Sequence, residues 1–205
     1  MPISKSIVVR ASALAAMLGG LLWAGKIIYE SNNDHPYPTD ITDALFFVVP
    51  LLMLAGLAGL YLLCRGQLSE QEKEGHWVGF VLGFGGLVGA SASSGLWALG
   101  LISDVLVGLL LGVLFVGFGL TLFGSSIIEA RLLGRWKALP LIMGLVSILA
   151  VMMPPWNFAG VVAWTLFGLG WTVLGYVLWS YRNEPIQQTA PARRRAEPGE
   201  GTAES

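Results

Sequence analysis

Long apolar runs separated by short polar breaks dominate this sequence. The longest run covers residues 77–128, and Asp104 is the one charged residue within it. A helix that crosses a bilayer needs roughly 20 apolar residues, so this run suits two crossings, at 77–101 and 105–124. Ser103 or Asp104 can cap the second helix by accepting hydrogen bonds from its free backbone N–H groups. The run therefore predicts a helical hairpin.

Four further apolar runs predict four further crossings. The predicted fold class is all-α, a polytopic membrane protein whose six transmembrane helices form one bundle over 1–182. The predicted spans are 7–28, 42–64, 77–101, 105–124, 138–153 and 158–181. We expect the first run to be an uncleaved helix, since Leu22 stands where a signal-peptide cleavage site needs a small residue. Segment 183–205 is polar and arginine-rich, which predicts a disordered cytoplasmic tail.

Glycines recur in the even-numbered spans. The second span reads LAGLAGLYLL at 54–63, the fourth FVGFGLTLFG at 115–124, and the sixth LFGLGWTVLG at 166–175. These similarities indicate three helical hairpins in parallel, joined by charged connections at 65–76 and 125–137. The alternative is that helices rich in glycine and leucine resemble one another through composition alone.

Composition and charge agree with a membrane protein and indicate its orientation. Only 12% of the residues are charged, against about 25% in soluble proteins. Six crossings place both termini on one side, and of the 12 Lys and Arg residues only Lys26 falls on the other side. Because basic residues accumulate on the cytoplasmic side, we expect both termini there. The sequence has no basic, aromatic-laced patch, so we expect no nucleic-acid partner.

Residues 83–95, GFGGLVGASASSG, form the most unusual local sequence. The candidates for helix packing or for a polar path are Gly85, Gly89, Ser91, Ser93, Ser94 and Gly95. Gly85 and Gly89 are four residues apart, and small residues at that spacing let another helix backbone approach closely. We therefore predict that Gly89 makes a tight helix contact. The alternative is an uncharged polar path along the third helix, built from the serine hydroxyls with Thr121 and Thr172.

Other candidate sites have weaker support. His35 shares an acidic outer loop with Asp34 and Asp40, a weak basis for a metal site, so we predict no metal and no cofactor. Enzyme motifs such as G-x-S-x-G, H-E-x-x-H and the P-loop are absent from the sequence, and we predict no catalytic residues. The aromatic residues of the sixth helix are a candidate lipid groove, although packing within the bundle is the favoured interpretation: Trp164, Trp171, Tyr176 and Trp179.

Two segments carry a family resemblance. LLGRWKALPLIMGL at 132–145 and GLGWTVLGYVLW at 168–179 are similar to uncharacterised bacterial membrane proteins of the DUF4386-like kind. In those proteins a basic segment ending in proline enters the fifth helix, and a helix rich in glycine and tryptophan closes the bundle. The resemblance covers about the last third of the chain. It implies a six-helix protein of the bacterial inner membrane and brings no catalytic residues.

Two functional hypotheses follow. The first is a non-enzymatic bundle that binds lipid, other membrane subunits or a second copy of itself through faces of small residues. The second is a small permease or channel-like carrier that uses the uncharged polar path. No lysine, histidine or acidic residue falls in the central part of a predicted span, which lowers the support for a proton-coupled carrier.

The distribution of basic residues generates a topology prediction. A periplasm-active reporter fused to the C-terminus should give no signal, whereas the same reporter fused after Asn33 should be active. Activity at the C-terminal fusion, with none after Asn33, would reverse the orientation.

Overall fold

Six helices account for nearly all of the protein that the structure describes. The structure is a computed structural model that describes residues 5–32, 41–65, 67–68, 70–101, 105–153 and 157–181. The α-helices are α1 (Lys5–Asn32), α2 (Ile41–Arg65), α3 (Glu70–Ala98), α4 (Val105–Glu129), α5 (Leu139–Met152) and α6 (Phe158–Tyr181). A 3₁₀ turn, Gly134–Trp136, precedes α5. No strand occurs within these ranges, so the predicted all-α class with six membrane-length helices is confirmed.

The helix bounds differ from the predicted spans mainly at α3. This helix begins at Glu70 rather than at residue 77, so most of the charged connection predicted at 65–76 is helical. The segment Glu-Gln-Glu-Lys-Glu consists of good helix formers, and its charges mark a helix that extends beyond the hydrocarbon rather than a loop. Ser103, Asp104, the loop with His35 and the C-terminal tail lie outside the described residues.

The helices form a closed ring in chain order. Each helix contacts the next, and α1 contacts α6 to close the ring. Neighbouring helices run antiparallel, since Gly20 of α1 lies against Gly168 of α6 while Gly175, further along α6, lies against Ala13. One end of the bundle therefore carries the start of α1 and the ends of α2, α4 and α6. Large apolar side chains remain exposed around the outside, as expected of a surface that contacts lipid.

All six helices are long and apolar enough to cross a membrane, the fifth when it is counted together with its preceding 3₁₀ turn as Gly134–Met152. This is the architecture of a multi-pass membrane protein. The ring does not separate into three hairpins, because α1 packs extensively on α6 as well as on α2, and α4 packs on α5 as well as on α3. The hairpin repeat therefore stays a prediction.

Glycines that face each other allow close packing between α3 and α4. A Cβ atom on Gly86 would lie 2.5 Å from the carbonyl oxygen of Gly112 and 2.8 Å from the amide nitrogen of Val116. A Cβ atom on Gly79 would lie 2.8 Å from the carbonyl oxygen of Gly119. Such distances leave no room for a side chain, so these positions accept only glycine at this helix separation.

The predicted tight contact at Gly89 is wrong. A Cβ atom on Gly85 or Gly89 would meet no atom within 4 Å, whereas Gly86 lies directly against α4. Successive helical residues are turned by about 100°, so Gly85 and Gly86 point to different faces. The third helix contains two sets of glycines with similar spacing, and spacing alone does not tell which set meets a neighbouring helix.

This difference generates a matched pair of variants. Gly86→Ala should lower the apparent melting temperature in detergent, because the added methyl group would overpack the α3–α4 contact at a cost of about 1–3 kcal/mol. Gly89→Ala should be neutral, or stabilising by up to about 1 kcal/mol, because alanine is the better helix former. Equal melting temperatures for the two variants would contradict the close contact at Gly86.

Candidate functional site

The serines of the third helix lie in different surroundings. Ser94 is buried and donates to the carbonyl of Ala90 at 2.9 Å, the usual arrangement for a hydroxyl in an apolar helix. The Ser91 hydroxyl is buried and has no hydrogen-bond partner among the described residues. Ser93 packs against Gly108 of α4, and Gly95 lies close to the ring of Phe47.

The hydroxyls of the proposed polar path are not brought together. Thr121 lies in the α4–α5 interface against Gly144, and it donates to its own helix at 2.8 Å. Thr172 lies in the α1–α6 interface against Gly20, and it also donates to its own helix, at 3.3 Å. With Ser93 in the α3–α4 interface, these hydroxyls occupy three separate helix contacts rather than one continuous row.

The tryptophans of α6 do not form a single groove. Trp164 and Trp171 are buried and belong to an aromatic cluster with Trp23 and Phe167. Tyr176 and Trp179 are instead exposed on the outside of the bundle. Trp164 packs against Trp23 of α1, and Trp171 lies close to Gly56 of α2, which agrees with the packing interpretation for those two residues.

A buried ion pair lies towards the end of the bundle that is opposite the start of α1. The ammonium group of Lys26 contacts the carboxylate of Glu30 one turn later on α1, and the Lys26 side chain is fully buried. This pairing neutralises the only basic residue predicted on that side.

A pocket of about 330 Å³ lies where α2 ends and α3 begins. It is lined by Tyr61, Arg65, Lys73, His76 and Trp77. The apolar spans of the two helices, Phe47–Arg65 and Lys73–Trp97, have their limits at two of these residues. The limits of these apolar stretches predict that the pocket lies near the level where the bundle leaves the hydrocarbon, at the end that carries the start of α1.

His76 joins three helices at the base of this pocket. Its ring packs against Tyr61 of α2, with centroids 5.4 Å apart, and against Phe123 of α4, at 3.8 Å. Its side chain is buried, and neither ring nitrogen has a hydrogen-bond partner among the described residues. The backbone of Tyr61 approaches the ring, but not with hydrogen-bond geometry. An unsatisfied buried polar group costs about 1–3 kcal/mol. Because both nitrogens are shut off from solvent, a ligand oxygen would satisfy one of them only after the ring turns it towards the pocket.

Cations and aromatic rings form the rim of the pocket. The Arg65 guanidinium lies over the Tyr61 ring, 5.8 Å from its centroid. Lys73 adds a second positive charge, and the Trp77 side chain is 52% exposed. Within the described ranges, no group of three His, Cys, Asp or Glu residues could hold a metal ion. The chemistry of the rim suits an anion, because Arg and Lys donate strong hydrogen bonds to charged oxygens.

Sequence reasoning missed this pocket because it treated residues 65–76 as a loop. Once α3 is extended to Glu70, Lys73 falls four residues before Trp77 and three before His76, on neighbouring positions of one helix side. Tyr61 and Arg65 show the same four-residue spacing on α2. Two such sets flanking a short connection are a signal that could have identified the site.

Comparisons with known proteins add no relatives. No family model, curated protein or solved structure matches the chain. The DUF4386-like resemblance of 132–145 and 168–179 therefore stays a prediction. The fold and the pocket define the class: an all-helical, multi-pass membrane protein with a basic, aromatic pocket at one end of its bundle.

The aromatic cluster generates a prediction about stability. Trp171→Ala should destabilise the protein strongly, because comparable truncations in soluble protein cores cost about 3–5 kcal/mol and Trp171 is fully buried. Trp179→Ala on the same helix should cost less, since that ring is 38% exposed. Thermal unfolding in one detergent would compare the two variants, and a larger loss for Trp179→Ala would contradict the packing described for α6.

Proposed function

We propose that this protein is a non-enzymatic integral membrane protein that binds lipid, and that the pocket between α2 and α3 is its binding site. The observation that carries the proposal is the buried, unpaired imidazole of His76 beneath a rim of Arg65 and Lys73. This arrangement lies at the boundary between hydrocarbon and water, where lipid headgroups lie. Because basic residues accumulate on the cytoplasmic side, the proposed orientation puts the pocket on the cytoplasmic side of the cell membrane.

The shape and lining of the pocket support a lipid occupant. Ligand pockets typically enclose about 300–1,000 Å³, so about 330 Å³ suits a headgroup rather than a whole lipid. Trp77 is exposed at the rim, and tryptophan is enriched at membrane–water interfaces because its ring is apolar and its N–H is polar. A headgroup can occupy the pocket while the acyl chains stay in the bilayer.

The carrier hypothesis and enzymatic activity have less support. Ser93, Thr121 and Thr172 lie in three separate helix interfaces, so an uncharged path has no continuous lining among them. The pocket offers cations and one imidazole, and its lining includes no carboxylate or serine that would complete a nucleophile and base pair.

Native mass spectrometry of the full-length protein in mild detergent tests lipid binding. The wild-type protein should retain at least one lipid, and Trp77→Leu should release it more readily, because the variant removes an aromatic contact from the rim. Trp179→Leu is the matched control, since Trp179 is exposed at the same end of the bundle but outside the pocket. Equal lipid retention by both variants, or no retained lipid in the wild type, would contradict the proposal.

A further inference from the structure

We infer that the pocket selects a lipid that ends in a phosphate monoester, with Arg65, Lys73 and His76 contacting the phosphate. The inference rests on the proposed function, because it names the headgroup for the same pocket. Its starting point is the juxtaposition of two cationic side chains and one buried imidazole around about 330 Å³.

The number of donor groups favours a phosphate monoester. Arg65 and Lys73 come from different helices, and His76 contributes from the base of the pocket. A carboxylate has two oxygens, and a phosphodiester has two that are not esterified. A phosphomonoester has three such oxygens, so it can offer one to each of the three side chains. Arg65 also suits a phosphate by its geometry, because a planar guanidinium can donate two parallel hydrogen bonds to two phosphate oxygens.

His76 supplies the contact from inside the protein. Phenylalanine in its place would pack against Tyr61 and Phe123 without bringing buried nitrogens. The imidazole instead leaves two nitrogens buried and unpaired among the described residues. Both nitrogens are closed to solvent in this structure, so the ring has to turn its N–H into the pocket before a phosphate oxygen can accept a hydrogen bond and remove the cost of that group.

An apolar face of α3 leads away from the pocket and favours a lipid over a soluble phosphate ester. Trp77, Val81, Phe84 and Val88 follow one another at spacings of three or four residues, so they share a side of the helix. Each of these side chains is exposed. This face runs from the rim towards the middle of the membrane, where an acyl chain attached to the bound phosphate would lie.

A lipid series tests the headgroup. Full-length protein is titrated with phosphatidic acid, phosphatidylglycerol and phosphatidylcholine of identical acyl chains, and binding is followed by native mass spectrometry. Phosphatidic acid should bind about tenfold more tightly than phosphatidylglycerol, which corresponds to one additional charged hydrogen bond. Glycerol 3-phosphate, which has the same phosphate without acyl chains, should compete only weakly.

Variants of the lining residues test the contacts. Arg65→Gln should weaken phosphatidic acid binding about tenfold or more, whereas Arg135→Gln should not. Arg135 is the matched control, because it is exposed, lies over an aromatic ring at 5.5 Å and is outside the pocket. His76→Phe should keep or raise the melting temperature of the unliganded protein, because it removes the unpaired nitrogens, but it should lose the preference for phosphatidic acid over phosphatidylglycerol.

The outcomes separate the two proposals. Equal affinity for the three lipids, with Trp77→Leu still releasing lipid, would overturn the phosphate inference and leave lipid binding intact. If glycerol 3-phosphate binds as tightly as phosphatidic acid, the acyl chains contribute nothing, and the inference that the ligand is a lipid rather than a soluble phosphate ester is wrong. If Arg65→Gln binds phosphatidic acid as well as the Arg135→Gln control does, the proposed contact of the guanidinium with the phosphate is wrong. If a folded His76→Phe variant still prefers phosphatidic acid, the proposed contact of the imidazole is wrong. If the wild type retains no lipid, the proposed function itself fails.

Discussion

Close approach of helix backbones is the interaction on which this bundle depends. In a bilayer, a leucine side chain is surrounded by apolar atoms whether it faces lipid or another helix, so burial of apolar area gives little drive for association. Van der Waals contact remains, and it is lost quickly as surfaces separate. Gly86 against Gly112 and Gly20 against Gly168 bring backbones into direct contact at two interfaces. The ring closes between α1 and α6 because glycine is present at these positions.

The same close packing determines where polar chemistry can occur. Thr121 and Thr172 lie beside glycines of neighbouring helices and use their hydroxyls on carbonyls of their own helix. Such hydroxyls are satisfied locally and have little capacity to hold a solute. The charged side chains of the described helices lie mainly towards their ends, and the buried Lys26 is neutralised by Glu30. Recognition of a ligand is therefore expected at the ends of the bundle.

The sequence was sufficient for the fold class, because six runs of apolar residues and their polar breaks reflect a single solvent constraint, the thickness of the hydrocarbon. It was not sufficient for helix faces. Gly85 and Gly86 are neighbours in sequence, yet only Gly86 meets another backbone, and that depends on how α3 is rotated against α4. The pocket was also missed, since hydropathy ends a span at its first charges while hydrogen bonding continues α3 back to Glu70.

The pocket occurs where glycine packing gives way to packing of side chains. Between α2 and α3, the nearest neighbour of a Cβ on Gly83 would be a side-chain carbon of Leu57, at 3.1 Å, rather than a backbone atom. Further towards the end, the rings of Tyr61 and Phe80 stack at 4.2 Å and separate the two helices. Side chains of this size hold backbones apart, and the space opened beyond them is the pocket. The aromatic contacts that fix His76 thus also create the room for a ligand beside it, so both features come from one local change in how two helices meet.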